Sequence, residues 1–128
     1  MKSFRRPRHG KEYFIQRDLI AYLKVRGWLV ERIIGNAFQS GLPDLFCYHP
    51  KWGSRWIDCK VEGRYSFTKA QKRKWPIWAK FGIGIWILIG ADQENYDKLF
   101  QPPNMMDYWK KSWNIPTEAE IDQMLEEI

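Results

Sequence analysis

Two carboxylates and an ammonium group crowd into one short stretch, Gly41 to Lys60: Asp44 follows Pro43, and Asp58 and Lys60 stand two residues apart. In an extended strand alternate side chains share a face, so Trp56, Asp58 and Lys60 point one way and Ile57, Cys59 and Val61 the other. An Asp and a Lys in an otherwise apolar strand are costly to bury without a partner or a use. Glu12, Gln16, Leu19 and Leu23 lie on one face of a first helix, which puts a carboxylate on its core stripe, and Gln71 opens a second helix. Three carboxylates gathered at one point repel, by about 4 kcal/mol per pair at ~4 Å and an effective dielectric near ~20. One lysine cannot offset that. A hard divalent cation with oxygen ligands can, which points to Mg²⁺, with Mn²⁺ able to replace it. No His-rich or Cys-rich set suits zinc, and His9 and His49 are isolated. A cation held this way polarises a phosphoryl oxygen and activates water, and Lys60 beside it stabilises developing charge or orients the water. That chemistry is hydrolysis of a phosphodiester.

The elements that must position these groups follow from periodicity and turn residues. Ile15, Leu19, Tyr22, Leu23 and Val25 predict a helix over 11–26, ended by Gly27 as a left-handed cap. Residues 28–34 read as a strand, and 35–41 as a polar loop with glycine at both ends. Two strands follow, joined by a turn at His49–Ser54; Pro43 is tolerated at the start of the first. A loop at 62–66 leads into a basic helix near 67–80, with Ser66 or Thr68 as its N-cap and Pro76 expected to kink or restart it. Gly84 to Ile89 is apolar on both faces and predicts a central strand. A short helix spans 92–100. The aromatics of 101–116 pack on the body or on another subunit. Thr117 and Glu120 form a capping box for a last helix with the stripe Ile121, Met124, Leu125 and Ile128. The order is helix, three strands, helix, strand, then additions: an α/β fold with a mixed sheet flanked by helices.

The chain has 128 residues and a net charge of +6, enough for one domain with its own core. Charge is unevenly distributed: residues 1–80 carry 18 Lys and Arg against 6 Asp and Glu, and residues 81–128 carry 3 against 9. A basic face of this kind fits a polyanion, nucleic acid foremost. Cys47 and Cys59 fall on inward-facing strand positions and read as buried thiols of a reducing compartment. With no signal peptide and no apolar run near the ~20 residues a membrane span needs, the expectation is a cytoplasmic protein of a bacterial or phage-infected cell. Residues 1–10 read as a basic, mobile arm.

The pattern Pro43-Asp44 then Asp58-Cys59-Lys60 resembles the PD-(D/E)xK nuclease signature. Together with Gly41-Leu42-Pro43-Asp44-Leu45, Trp56-Ile57-Asp58-Cys59-Lys60 and the step Ser66-Phe67-Thr68-Lys69-Ala70-Gln71, it resembles the VRR-NUC (virus-type replication-repair nuclease) branch, over about residues 11–91. The resemblance implies a restriction-endonuclease-like αβββαβ core; residues 92–128 lie outside it and read as C-terminal helical additions. It implies that Asp44, Asp58 and the Cys59 carbonyl bind metal, that Glu12 joins them directly or through water, that Lys60 is the catalytic lysine, and that Gln71 supports the site or contacts substrate. Asp58 departs from the commoner Glu by one methylene. Single-domain relatives of this branch resemble Holliday-junction resolvases, which implies branched DNA as substrate, a role in replication, recombination or repair, and a homodimer for which 101–116 offers an interface. Arg5, Arg6, Arg8, Gln16, Arg64, Lys69, Lys72 and Arg73 are the candidate nucleic-acid contacts. The competing readings are a restriction-type or RNA-processing nuclease of the same fold, and a non-catalytic nucleic-acid-binding module.

Overall fold

A computed structural model of the chain describes residues 11–34, 40–110, 113 and 116–127. The candidate contacts Arg5, Arg6 and Arg8, the whole basic arm, most of the glycine-bounded loop and Ile128 lie outside the described residues.

The elements run α1 (Lys11–Val25), β1 (Leu29–Arg32), β2 (Leu45–His49), β3 (Gly53–Lys60), α2 (Lys69–Lys80), β4 (Ile85–Ile89), α3 (Gln93–Asp97), two 3-10 turns (Lys98–Phe100 and Met105–Tyr108) and α4 (Glu118–Glu126). The αβββαβ order and the mixed sheet expected from the sequence are both present. Spatial order matches chain order, β1-β2-β3-β4. β1/β2 and β2/β3 are antiparallel neighbours linked directly, whereas β3/β4 are parallel and therefore need the α2 crossover between them.

Alternation along the strands builds two cores, one on each face of the sheet. On the α1 side, Leu19 and Leu23 pack against Leu45, Cys47, Ile57, Cys59, Trp86 and Leu88. On the α2 side, Phe67 and Trp75 pack against Ile85, Ile87 and Met105. Asp58 and Lys60 belong to this second face, as alternation from Ile57 and Cys59 requires. β4 is buried along nearly its full length, as its unbroken apolar run predicts. Both cysteines are free and buried, and burial pushes the Cys47 thiol up to about 12, so it stays neutral.

Several local expectations are corrected. Val25 leaves the α1 stripe and is exposed, because the helix ends there and Gly27 turns away at φ 87°. α2 runs through Pro76 as one helix without a restart: proline deprives the turn before it of one hydrogen bond, yet its ring lies buried in the packed interior. On α4 Ile121 is buried, but Leu125 leaves 38% of its surface exposed. Thr117 caps that helix by accepting from the Glu120 N–H at 3.2 Å.

The aromatic segment packs on its own chain. Trp109 and Trp113 meet Phe67 at ring separations of 5.4 and 5.5 Å. Asn104, in the same segment, and Asn95 of α3 seal the outer edge of β4. Asn104 accepts from the Ile87 N–H at 2.7 Å and donates to the Ile87 carbonyl at 3.0 Å; Asn95 does the same at Ile89, both at 2.8 Å. Each amide side chain thus stands in for one residue of a fifth strand.

Candidate active site

The site forms where β2 and β3 stop being paired. Their ladder ends at Leu45 opposite Ile57. Continued by one residue, the same register sets Asp44 opposite Asp58, on one face of the sheet. Past that point the Cys59 N–H has no strand partner, and the Asp44 carboxylate takes it at 2.7 Å. Asp44 also gives its backbone carbonyl to the Ile33 N–H at 2.8 Å, which ties it to the end of β1. The backbone fork, not the side chain alone, fixes where Asp44 points.

α2 holds the approach to Asp44. Trp75 Nε1 donates to the Gly41 carbonyl and Lys74 Nζ to the Ser40 carbonyl, both at 2.7 Å. Gly41 is required here: its φ is +83°, and a Cβ would meet the Ala70 backbone at 3.0 Å.

Lys60 is held from three sides. Its Nζ lies 2.8 Å from Asp58 Oδ2 and donates to Gln71 Oε1 at 3.1 Å. It also lies 4.7 Å from the centre of the Phe67 ring, a cation–π contact. Gln71 has a second duty. Its Oε1 accepts from the Thr68 N–H at 3.1 Å while Thr68 Oγ1 accepts from the Gln71 N–H, the reciprocal capping box of α2. The helix cap and the orienting contact of the lysine are therefore one group.

Charge is concentrated and poorly compensated. Asp58 is 1% exposed, and its Oδ1 is buried with no hydrogen-bond partner. Burial first, and the nearby Glu12 carboxylate second, raise its carboxyl, while Lys60 pulls it down. Asp44 is pushed up to about 7, first by burial and then by Asp58; the Cys59 N–H and Lys60 oppose the shift. Glu12 stands at the solvent mouth on the first turn of α1, raised by partial burial and then by Asp44, which is within hydrogen-bonding reach. Asp44 is the middle member, next to Asp58 on one side and Glu12 on the other.

The residues that sequence reasoning gathered therefore do come together: Glu12, Asp44, Asp58, Lys60 and Gln71. Among the described residues, no group of three or more His, Cys, Asp or Glu side chains is drawn tight as a cage for a metal. Asp44 and Asp58 nevertheless fit a hard cation. They are oxygen donors, they resist carrying full charge in this setting, and Asp58 Oδ1 lacks a partner that a cation would supply. Three contributors went unnoticed in the sequence: Thr68 as partner of Gln71, Phe67 over the lysine, and Trp75 under Gly41. The Thr68-x-x-Gln71 spacing is the signal that could have found the first. Of the expected nucleic-acid contacts, Arg64, Lys69 and Arg73 are exposed on the loop before α2 and on α2 itself. Lys72 is half-buried, 4.6 Å from the Trp113 ring, and Gln16 is half-buried on α1.

No protein-family profile matches the chain, and no curated protein matches it. A solved structure described as a VRR_NUC domain superposes on it with a TM-score of 0.60 at 20% identity, covering 73% of this chain and 98% of that one. The likeness establishes the fold. The resemblance carried by Pro43-Asp44 and Asp58-Cys59-Lys60 is met at that level.

Proposed function

We propose that the chain is a metal-dependent nuclease that hydrolyses phosphodiester bonds of DNA. The observation that carries this reading is the buried, part-unpartnered Asp58 carboxylate set between Asp44 and Lys60 at the sheet fork. It is supported by the VRR_NUC fold and the basic composition of residues 1–80.

In this reading Asp44 and Asp58, with the Cys59 carbonyl, hold Mg²⁺ or Mn²⁺, and Glu12 contributes from the mouth. Bound there, the cation supplies Lewis acidity toward a phosphoryl oxygen and toward water. The chain's own groups do the rest. The Cys59 N–H keeps Asp44 aimed inward, and its amide hydrogen bond favours the ionised form that a cation needs. Asp58 and Gln71 fix the Lys60 ammonium so that it faces the developing negative charge without reorganising. The Phe67 and Trp75 rings exclude water behind it. Arg64, Lys69, Lys72 and Arg73 bind the phosphates on the α2 side, with Gln16 on the α1 side and Arg5, Arg6 and Arg8 on the arm.

Branched DNA is the substrate we infer, a class that takes in Holliday junctions and flaps. Cutting two strands of a junction calls for two sites and hence a homodimer. The decisive assay incubates the full chain with a four-way junction, a flap and a linear duplex in Mg²⁺, Mn²⁺ or EDTA. Cleavage of the branched substrates in metal and none in EDTA is expected. Equal cleavage in EDTA overturns the mechanism, and equal cleavage of the linear duplex overturns the preference. A monomer by sedimentation at micromolar concentration, with and without the junction, rules out the dimer. Asp58→Ala is expected to abolish cleavage. Lys60→Ala is expected to lower it by about 10²–10³-fold, the size seen on removing one preorganised charge-stabilising donor, with DNA binding kept in both variants.

A further inference from the structure

Between α1 and β1, on the sheet face opposite α2, runs a trough of about 320 Å³ lined by Tyr13, Arg17, Ile20, Lys24, Val30 and Arg32. Three of these six are cations and none is acidic. Their apolar neighbours make its floor, and Arg32 lies over the Tyr13 ring at 5.5 Å. Arg17 is paired with its chain neighbour Asp18 at 3.1 Å. Both side chains are more than half exposed, so that pair is worth at most ~1 kcal/mol and yields readily to a phosphate. Across β1, Glu31 alternates to the other face of the sheet.

The trough leads to the candidate active site. Tyr13 follows Glu12 in the chain, and Arg32 pairs with Leu45, the residue after Asp44. From there it follows α1 outward. Lys24 lies two helical turns, about 10 Å, beyond Arg17. Cations spaced along an apolar and aromatic floor are the recipe for a single nucleic-acid strand: charge follows the backbone and rings meet the bases. The cations of α2 lie on the other face of the sheet, with the carboxylates at its end between the two sets.

The geometry points to the α1–β1 trough as the binding site for an unpaired strand of the nucleic-acid substrate, with its phosphates on Arg17, Lys24 and Arg32 and Tyr13 beneath its inner end. This rests on the nuclease reading and narrows it. The preferred substrate joins duplex, held on the α2 side, to single strand, held in the trough.

The test is binding of the full chain, in EDTA, to labelled oligonucleotides by fluorescence anisotropy over a range of KCl. The probes are a single strand, a blunt duplex and a duplex with a single-stranded overhang. In Arg17→Gln/Lys24→Gln/Arg32→Gln, the salt slope for the single strand and the overhang should fall by about 2, from three contacts at ~0.7 each. Near 0.1 M salt that is about a hundredfold weaker binding. Blunt-duplex binding should change little. Arg17→Lys/Arg32→Lys, which keeps the charge, should keep the slope. An unchanged slope in the triple variant overturns the proposal. So does an equal loss on blunt duplex, or an equal loss in the charge-keeping variant. Because binding is read without metal, failure to cleave any substrate removes the nuclease reading and leaves this result to stand or fall alone.

Discussion

Asp44 Oδ2 accepts one strong amide hydrogen bond, yet the group sits well above the ordinary carboxylate range, near 7, because burial and the Asp58 carboxylate outweigh the Cys59 N–H and Lys60. The folded protein therefore binds a proton there that the unfolded chain has released once pH passes about 4. Stability from this group is fully present below that pH and is lost as pH rises toward 7. Without metal, the melting temperature should fall across that window, and Asp44→Asn should flatten the fall. Added Mg²⁺ should raise the melting temperature more at pH 8 than at pH 5, because protons and the cation compete for the same oxygens. A melting temperature that climbs from pH 5 to 7 in EDTA would contradict the desolvation argument. The three acids and the lysine were legible in sequence, since each is a charged residue out of place in an apolar strand or on a helix stripe. Their protonation was not, because it depends on how deep each carboxylate lies and on which neighbour faces it.

In the nuclease reading, the start of α2 links stability to catalysis. Thr68→Ala removes the hydroxyl that caps the helix and should cost about 1 kcal/mol, read as a shift in the denaturation midpoint. It also loosens Gln71, whose oxygen orients Lys60, so cleavage should drop by about 10–100-fold, the usual effect of removing a supporting contact. Gln71→Glu offers an informative contrast: it keeps an acceptor for both N–H groups and should retain most of the helix stability. Gly41→Ala places a side chain at φ +83° against Ala70 and should destabilise by about 1–2 kcal/mol. Glycine-rich punctuation, the helix stripes and the αβββαβ order could all be read from residue spacing. The fork between β2 and β3 could not, because ladder length depends on where two strands part, and neither Leu45 nor Ile57 signals it. Whether the helix restarts at Pro76 was illegible for a related reason. A proline disfavours a helix locally, and only tertiary packing around Trp75 and Pro76 reveals that the helix survives it.

Over the whole molecule, the basic charge of residues 1–80 predicts DNA affinity that falls steeply with salt, through release of counterions from neutralised phosphates. A flat profile between ~50 and ~200 mM would remove nucleic acid as the partner. Among the described residues no helix is long and apolar enough to cross a membrane. The two borders of the sheet differ. At β4 the outward backbone groups of Ile87 and Ile89 are already bonded to Asn104 and Asn95. At the other border β1 is the last strand and is mostly exposed. Among the described residues, then, only the β1 border is left without such seals. Two copies joined β1 to β1 would leave a sealed β4 at each outer end, so growth would halt at a pair. Asn95→Ala/Asn104→Ala should unseal the second border, and light scattering should then report open-ended assemblies in place of a fixed small size. If copies pair through β1, the two asparagines act as a counting device: they set the largest number of copies that one continuous sheet can recruit.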